Sequence, residues 1–117
     1  MKIIYHNAKT QKLCEDPNRS KKELGEIVAT KLQILLFTIE SLPNLFDLMA
    51  IPQFRLHALK GDRTNQYSLV IHKGSKWRLI IYPLDKNGLL VRNEGDEKKT
   101  LLESVIVEVL EVSEHYD

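Results

Sequence analysis

Between Arg55 and Arg78 the chain gathers cations around His57: Arg55, Lys60, Arg63, Lys73, Lys76 and Arg78 stand against a single acid, Asp62. Six Lys/Arg against one Asp give this stretch +5, whereas four against nine give residues 79–117 a charge of −5. The net +1 of the 117-residue chain therefore masks a basic middle and an acidic end. An imidazole ordinarily changes charge near neutrality and can take or give a proton. Arginine and lysine beside it can neutralise a phosphate in its ground or transition state. The combination fits phosphate binding, proton transfer or both. It also fits a solvated sheet face whose cations keep an edge soluble.

Other chemistries find less support. His6, His57, His72 and His115 share no ligand spacing, and Cys14 has no second cysteine as partner, so no metal site is expected. No Gly-rich phosphate loop, HExxH pair or GxSxG elbow occurs, and no cofactor is expected. A lone cysteine forms no internal disulfide and suits a reducing compartment. Residues 1–20 contain no apolar signal segment, and the cluster Ile34-Leu35-Leu36-Phe37 is too short to span a bilayer. A cytoplasmic protein without a membrane partner is the expectation. With 43% hydrophobic and 28% charged residues, the composition suits one domain, 1–117, with its own core.

The elements that must carry the basic block follow from periodicity. Met1–Tyr5 reads as a short strand. Residues 6–19 hold at most a turn or two of helix around Leu13, ended by Asp16-Pro17-Asn18. Ser20-Lys21-Lys22-Glu23 has the form of a capping box. Behind it Leu24, Ile27, Val28, Leu32, Leu35, Ile39 and Leu42 recur at helical spacing, predicting one helix over 21–40 with Gly25 tolerated inside it. Pro43 then permits a second short helix over 44–49. After Pro52 the period becomes two. Phe54, Leu56 and Ala58 alternate with Arg55 and His57, which share the opposite face of a strand. Turn residues at 61–65 and 73–76 separate it from strands over 67–72 and 77–82, an antiparallel meander. Residues 83–100 read as a long exposed loop, and 104–112 as a final strand. The order gives an α+β fold with helices against one face of the sheet.

The run Arg55-Leu56-His57-Ala58-Leu59-Lys60-Gly61-Asp62-Arg63 resembles the RLHxLKGdR motif of HigB-type toxins in the RelE/ParE superfamily of type II toxin–antitoxin systems. Tyr67–Ile71 resembles the family's second meander strand, and Lys76-Trp77-Arg78-Leu79-Ile80 its "WRl" strand. The terminus, Val109–Asp117, resembles its "eIvDyH" ending, and the connection through Pro83, Asp85 and Gly88 looks like an inserted loop of one branch. The resemblance covers residues 54–117 well and the helical region more generally.

It implies a RelE-like fold: an N-terminal strand and helices packed on a curved antiparallel β-sheet. The implied activity is ribosome-dependent cleavage of mRNA without a metal, by attack of a ribose 2′-OH on the adjacent phosphate. Carried over by position, His57 is the acid or base, and Lys60 and Arg78 hold the scissile phosphate. Arg55, Arg63, Lys73 and Lys76 would bind RNA. The family's terminal Asp-Tyr-His falls on Glu114-His115-Tyr116, which exchanges the aromatic and the imidazole. His115 could still transfer a proton and Tyr116 stack on a base. The implied partners are a cognate helix-turn-helix, HigA-like antitoxin, operator DNA through it, and the ribosome with its mRNA. Two other readings stay open: a non-nuclease member that poisons a protein such as DNA gyrase, and an RNA-binding module without catalysis.

Overall fold

A computed structural model describes residues 1–114. The chain begins with β1 (Lys2–Tyr5), followed by three helices, α1 (Ala8–Glu15), α2 (Pro17–Leu24) and α3 (Glu26–Ser41), and the short α4 (Leu45–Met49). Then come β2 (His57–Ala58), β3 (Tyr67–Val70), β4 (Arg78–Leu84), α5 (Glu97–Glu103) and β5 (Ile106–Ser113). One five-stranded sheet runs in the order β1-β5-β4-β3-β2. Strands β2 to β5 pair antiparallel, as expected, and β1 adds a parallel edge beside β5.

The helical apolar stripe is real but interrupted. Leu24, Val28, Leu32, Leu35 and Ile39 are buried in one core with Tyr67, Leu69, Leu79, Ile81, Val107 and Val109. These strand residues alternate, so they all face the helices, as the pleat requires. Gly25, however, takes φ +84°, a conformation glycine adopts without steric cost. It splits the predicted helix over 21–40 into α2 and α3. The change of direction leaves Ile27 on the outside, 64% exposed.

The capping box also proves wrong. Asp16 is the N-cap, accepting from the backbone N–H groups of Asn18 and Arg19, with Pro17 in the first turn. Aspartate followed by proline is itself a strong start signal. Ser20 is buried inside α2 and donates to the Leu13 carbonyl, tying α2 to α1. The expected turns around Leu13 form α1, eight residues or about two turns, capped by Asn7 and ended at Asp16.

Two further expectations change. The strand predicted from Phe54 shrinks to His57–Ala58, because Pro52–Phe54 forms a 3-10 turn and Arg55 is left-handed at φ 46°. Within the expected loop 83–100, Asp96 caps α5 by accepting from the Lys99 N–H, and Thr100 and Leu101 bury its inner side. The final strand begins at Ile106 as α5 ends at Glu103. Among the described residues, no helix is long and apolar enough to cross a membrane.

Candidate active site

Helices cover one face of the sheet, and the candidate site residues lie on the other. His57 pairs across the ladder with Ser68, Ser68 with Ile80, and Ile80 with Glu111. Residues directly opposite in a ladder point to the same side, so this row lies on the face away from the core. Val70, Arg78 and Ser113 form the next row on that face.

Arg55, Leu56, His57, Val70 and Arg78 line a cleft of about 510 Å³. It adjoins a second hollow of about 520 Å³, which shares Arg55, Val70 and Arg78 and adds Lys73 and Ser75 from the β3–β4 turn. No carboxylate lines either one. With low-dielectric walls and cations of one sign, the hollow focuses positive potential on a bound anion.

Each side chain is positioned by its backbone. Phe54 is buried and anchors the 3-10 turn, whose last carbonyl bond runs from the Arg55 N–H to Pro52 O. Arg55 then turns into the left-handed region, which costs a non-glycine residue about 1–2 kcal/mol. The turn aims its carbonyl at His57, whose Nδ1 lies 2.9 Å from it. A carbonyl only accepts, so Nδ1 carries hydrogen and donates. The neutral ring therefore presents Nε2 as its acceptor. Arg55 and His57 do share the cleft, but through this turn and not through the strand face that alternation predicts.

Arg78 is held by Nη1, which donates to the carbonyls of Ser75 at 2.9 Å and Trp77 at 3.0 Å. Its Nε is buried and meets no acceptor among the described residues. The Nε–Nη2 edge is the fork with which arginine grips two oxygens of a carboxylate or phosphate. Ser68 Oγ, on the same face, is likewise buried without a partner. Of the two, only Arg78 lines the cleft; Ser68 lines neither hollow, and it is the uncommitted arginine edge that suits the acceptor oxygens of an anion.

The remaining cations disperse. Arg63 donates from Nη1 to Gln66 Oε1 at 3.0 Å and lies 3.5 Å from Glu111 Oε2, lining a separate, larger hollow. Lys60 is exposed at the start of the 3-10 turn Gly61–Arg63, and Lys76 is exposed in the β3–β4 turn; neither lines the His57 cleft. His115 and Tyr116 lie outside the described residues. Reading of the basic block missed Ser68, although strand alternation had placed it opposite Tyr67 and Leu69. A small polar residue amid a β-branched and aromatic run was the available signal. Among the described residues, no three His, Cys, Asp or Glu side chains converge as metal ligands.

No protein-family model and no curated protein matches the chain. Among solved structures it is similar to a YoeB/ParE toxin from Agrobacterium tumefaciens, at 16% sequence identity and a TM-score of 0.58, over 99% of this chain and 100% of that one. The likeness is one of fold.

Proposed function

We propose that this chain is a HigB-type toxin of a type II toxin–antitoxin system, an endoribonuclease that cuts mRNA on the ribosome. The observation that carries the reading is the cationic cleft in which His57 has its tautomer set by the Arg55 carbonyl and Arg78 keeps its two-pronged edge uncommitted. The toxin-like fold of the A. tumefaciens structure and the motif from Arg55 to Arg63 support it.

In this reaction the ribose 2′-oxygen attacks the adjacent phosphorus while His57 Nε2 accepts the hydroxyl proton. A bond from O2′ to phosphorus forms and the bond from phosphorus to O5′ breaks. The products are a 2′,3′-cyclic phosphate and a 5′-hydroxyl, whose oxygen takes up a proton. Arg78, with Arg55 beside it, offsets the charge that builds on the phosphorane. His115 and Tyr116 are the further candidates for the leaving-group proton and for stacking on a base.

Lys73, which lines the adjoining hollow, and Lys60, Arg63 and Lys76 farther out on the surface serve as contacts for the RNA backbone. The ribosome supplies in-line alignment of the nucleotides, a contribution of several kcal/mol that so small an enzyme need not provide itself. The activity needs no metal. In the cytoplasm a HigA-like helix-turn-helix antitoxin neutralises the toxin and carries the complex to operator DNA.

The test is induced expression in growing cells, reading growth, mRNA integrity and plasmid supercoiling together. Arrest with mRNA cut inside reading frames, absent in His57→Ala and Arg78→Ala, supports the proposal. Arrest with intact mRNA and altered supercoiling moves the chain to the gyrase-poison class. RNA binding without arrest or cutting identifies a module that has lost catalysis.

A further inference from the structure

A further hollow, of about 830 Å³, lies apart from the His57 cleft. It lies between the start of α1 and the 3-10 turn Gly61–Arg63, with Tyr82 of β4 and Leu110–Val112 of β5 among its lining. It opens on the same sheet face as the cleft, because Glu111 ends the row that begins at His57 and passes through Ser68 and Ile80. Three interstrand steps separate the ends of that row, about 14 Å, within reach of the next nucleotide or two of an extended strand.

The chemistry of the two hollows differs. The cleft has no carboxylate in its lining, whereas here Glu23, Asp62 and Glu111 stand among Lys9 and Arg63. Three carboxylates repel a phosphate. They suit a neutral group that offers N–H donors.

The lining is also braced. Gln66 Oε1 accepts from Arg63 at 3.0 Å while its Nε2 lies 3.3 Å from the Tyr82 hydroxyl. Glu111 turns Oε2 toward Arg63 at 3.5 Å, which leaves Oε1 to receive a ligand, and its side chain is 40% exposed. A carboxylate accepts from the amino group of cytosine, and an amide pairs with adenine at its amino edge. The half-buried Tyr82 ring adds an aromatic surface of the kind on which unstacked bases lie.

Resting on the nuclease reading, we infer that this hollow holds the base of a nucleotide flanking the cut. It selects bases with an amino group at pyrimidine C4 or purine C6, cytosine or adenine, over uracil, through Glu111 and the Arg63–Gln66–Tyr82 chain.

The experiment uses 2′-O-methyl tetranucleotides of cytidine, adenosine or uridine, which lack the attacking hydroxyl and cannot be cut. Binding to the full chain is followed by NMR. The expected result is roughly tenfold tighter binding of the cytidine or adenosine oligomer than of uridine, the effect of one good base contact. Shifts should fall on the Gln66 side-chain amide and the Tyr82 ring.

Glu111→Gln should remove the preference, and Tyr82→Phe should reduce it with less risk to folding. Arg55→Ala should weaken all three oligomers alike and leave their ratio unchanged. Equal affinities in the wild type, or shifts confined to Arg55, His57 and Arg78, overturn the inference while leaving the nuclease reading intact. Binding of none of the oligomers overturns the nucleic-acid reading and this inference with it. A clear base preference in a chain that cuts no mRNA upholds the pocket and rejects only the catalysis.

Discussion

Arg55 combines a charge in the cleft with a strained backbone at φ 46°, and the two contributions can be separated. Arg55→Gly relieves the left-handed strain, worth about 1 kcal/mol, but removes a cation from the cleft. The expected outcome is unchanged or raised thermal stability with cleavage reduced at least tenfold, measured on one preparation by calorimetry and by a cutting assay. Parallel loss of both would mean that the side chain holds the fold together.

Cys14 tests burial at the opposite side of the molecule. Desolvation, with the nearby Glu15 charge, pushes its thiol up to about 12, although a hydrogen bond with Tyr5 works the other way. The unfolded thiol ionises near its ordinary value of about 9, so the folded state holds the proton longer. This group therefore leaves stability flat below pH 9 and lowers it as pH rises from there toward 12. Urea melts at pH 9 and pH 10.5 should show a fall that is smaller by about 2 kcal/mol in Cys14→Ala. An identical fall in the variant contradicts the assignment.

At this scale residue types were more legible than their geometry. Type and spacing singled out Arg55, His57 and Arg78, which meet in one cleft. The same reading grouped Lys60 and Arg63 with them, but these follow a turn that carries them elsewhere, and a turn's path is set by backbone angles that composition does not encode.

Among the elements, the core-facing halves of the helices and the meander were legible because burial imposes a period of 3.6 on one and 2 on the other. What escaped was where the elements break. Gly25 looked like a tolerated helical glycine, since an apolar stripe continues through it; the φ of +84° that divides α2 from α3 leaves no mark in that stripe. A β-carbon at Gly25 would meet nothing within 4 Å, so Gly25→Ala introduces conformational strain and no clash. The expected cost is about 1–2 kcal/mol, a fall of several degrees in melting temperature for a chain of this size. An unchanged melting temperature would mean that the α2–α3 junction is a helix that bends and not one that stops.

Helix α5 was missed for a different reason. It is seven residues long, its buried side consists of Thr100 and Leu101, and its surroundings are charged. Two buried residues do not make a period; the Asp96 cap was the better clue. The two-residue β2 escaped because Pro52 begins a 3-10 turn inside what reads as alternation.

Across the whole molecule, the two faces of the sheet are built differently. Its inner face packs on α2 and α3 to make the core, and its outer face carries both the cationic cleft and the mixed-charge hollow, related by a single row of paired residues. The charge asymmetry of the sequence acquires a position here. The basic block folds into the cleft through β2 and the β3–β4 turn, while acidic β5 contributes Glu111 to the hollow beside it. The overall architecture was readable from the order of periods. The parallel edge made by β1 was not, because nothing local states which strand a distant segment will join.

The central claim is that the Arg55–His57–Arg78 cleft cuts mRNA held on the ribosome. Primer extension on an mRNA under translation in vitro tests it most directly, comparing wild type, His57→Ala, Arg78→Lys and a reaction without ribosomes. Cuts within codons are expected from the wild type, none without ribosomes, and a loss of at least a hundredfold in His57→Ala. Arg78→Lys, which keeps the charge but loses the two-pronged grip, should be impaired by about tenfold or more. Cuts that persist at wild-type strength in both variants, or that appear equally without ribosomes, would contradict it.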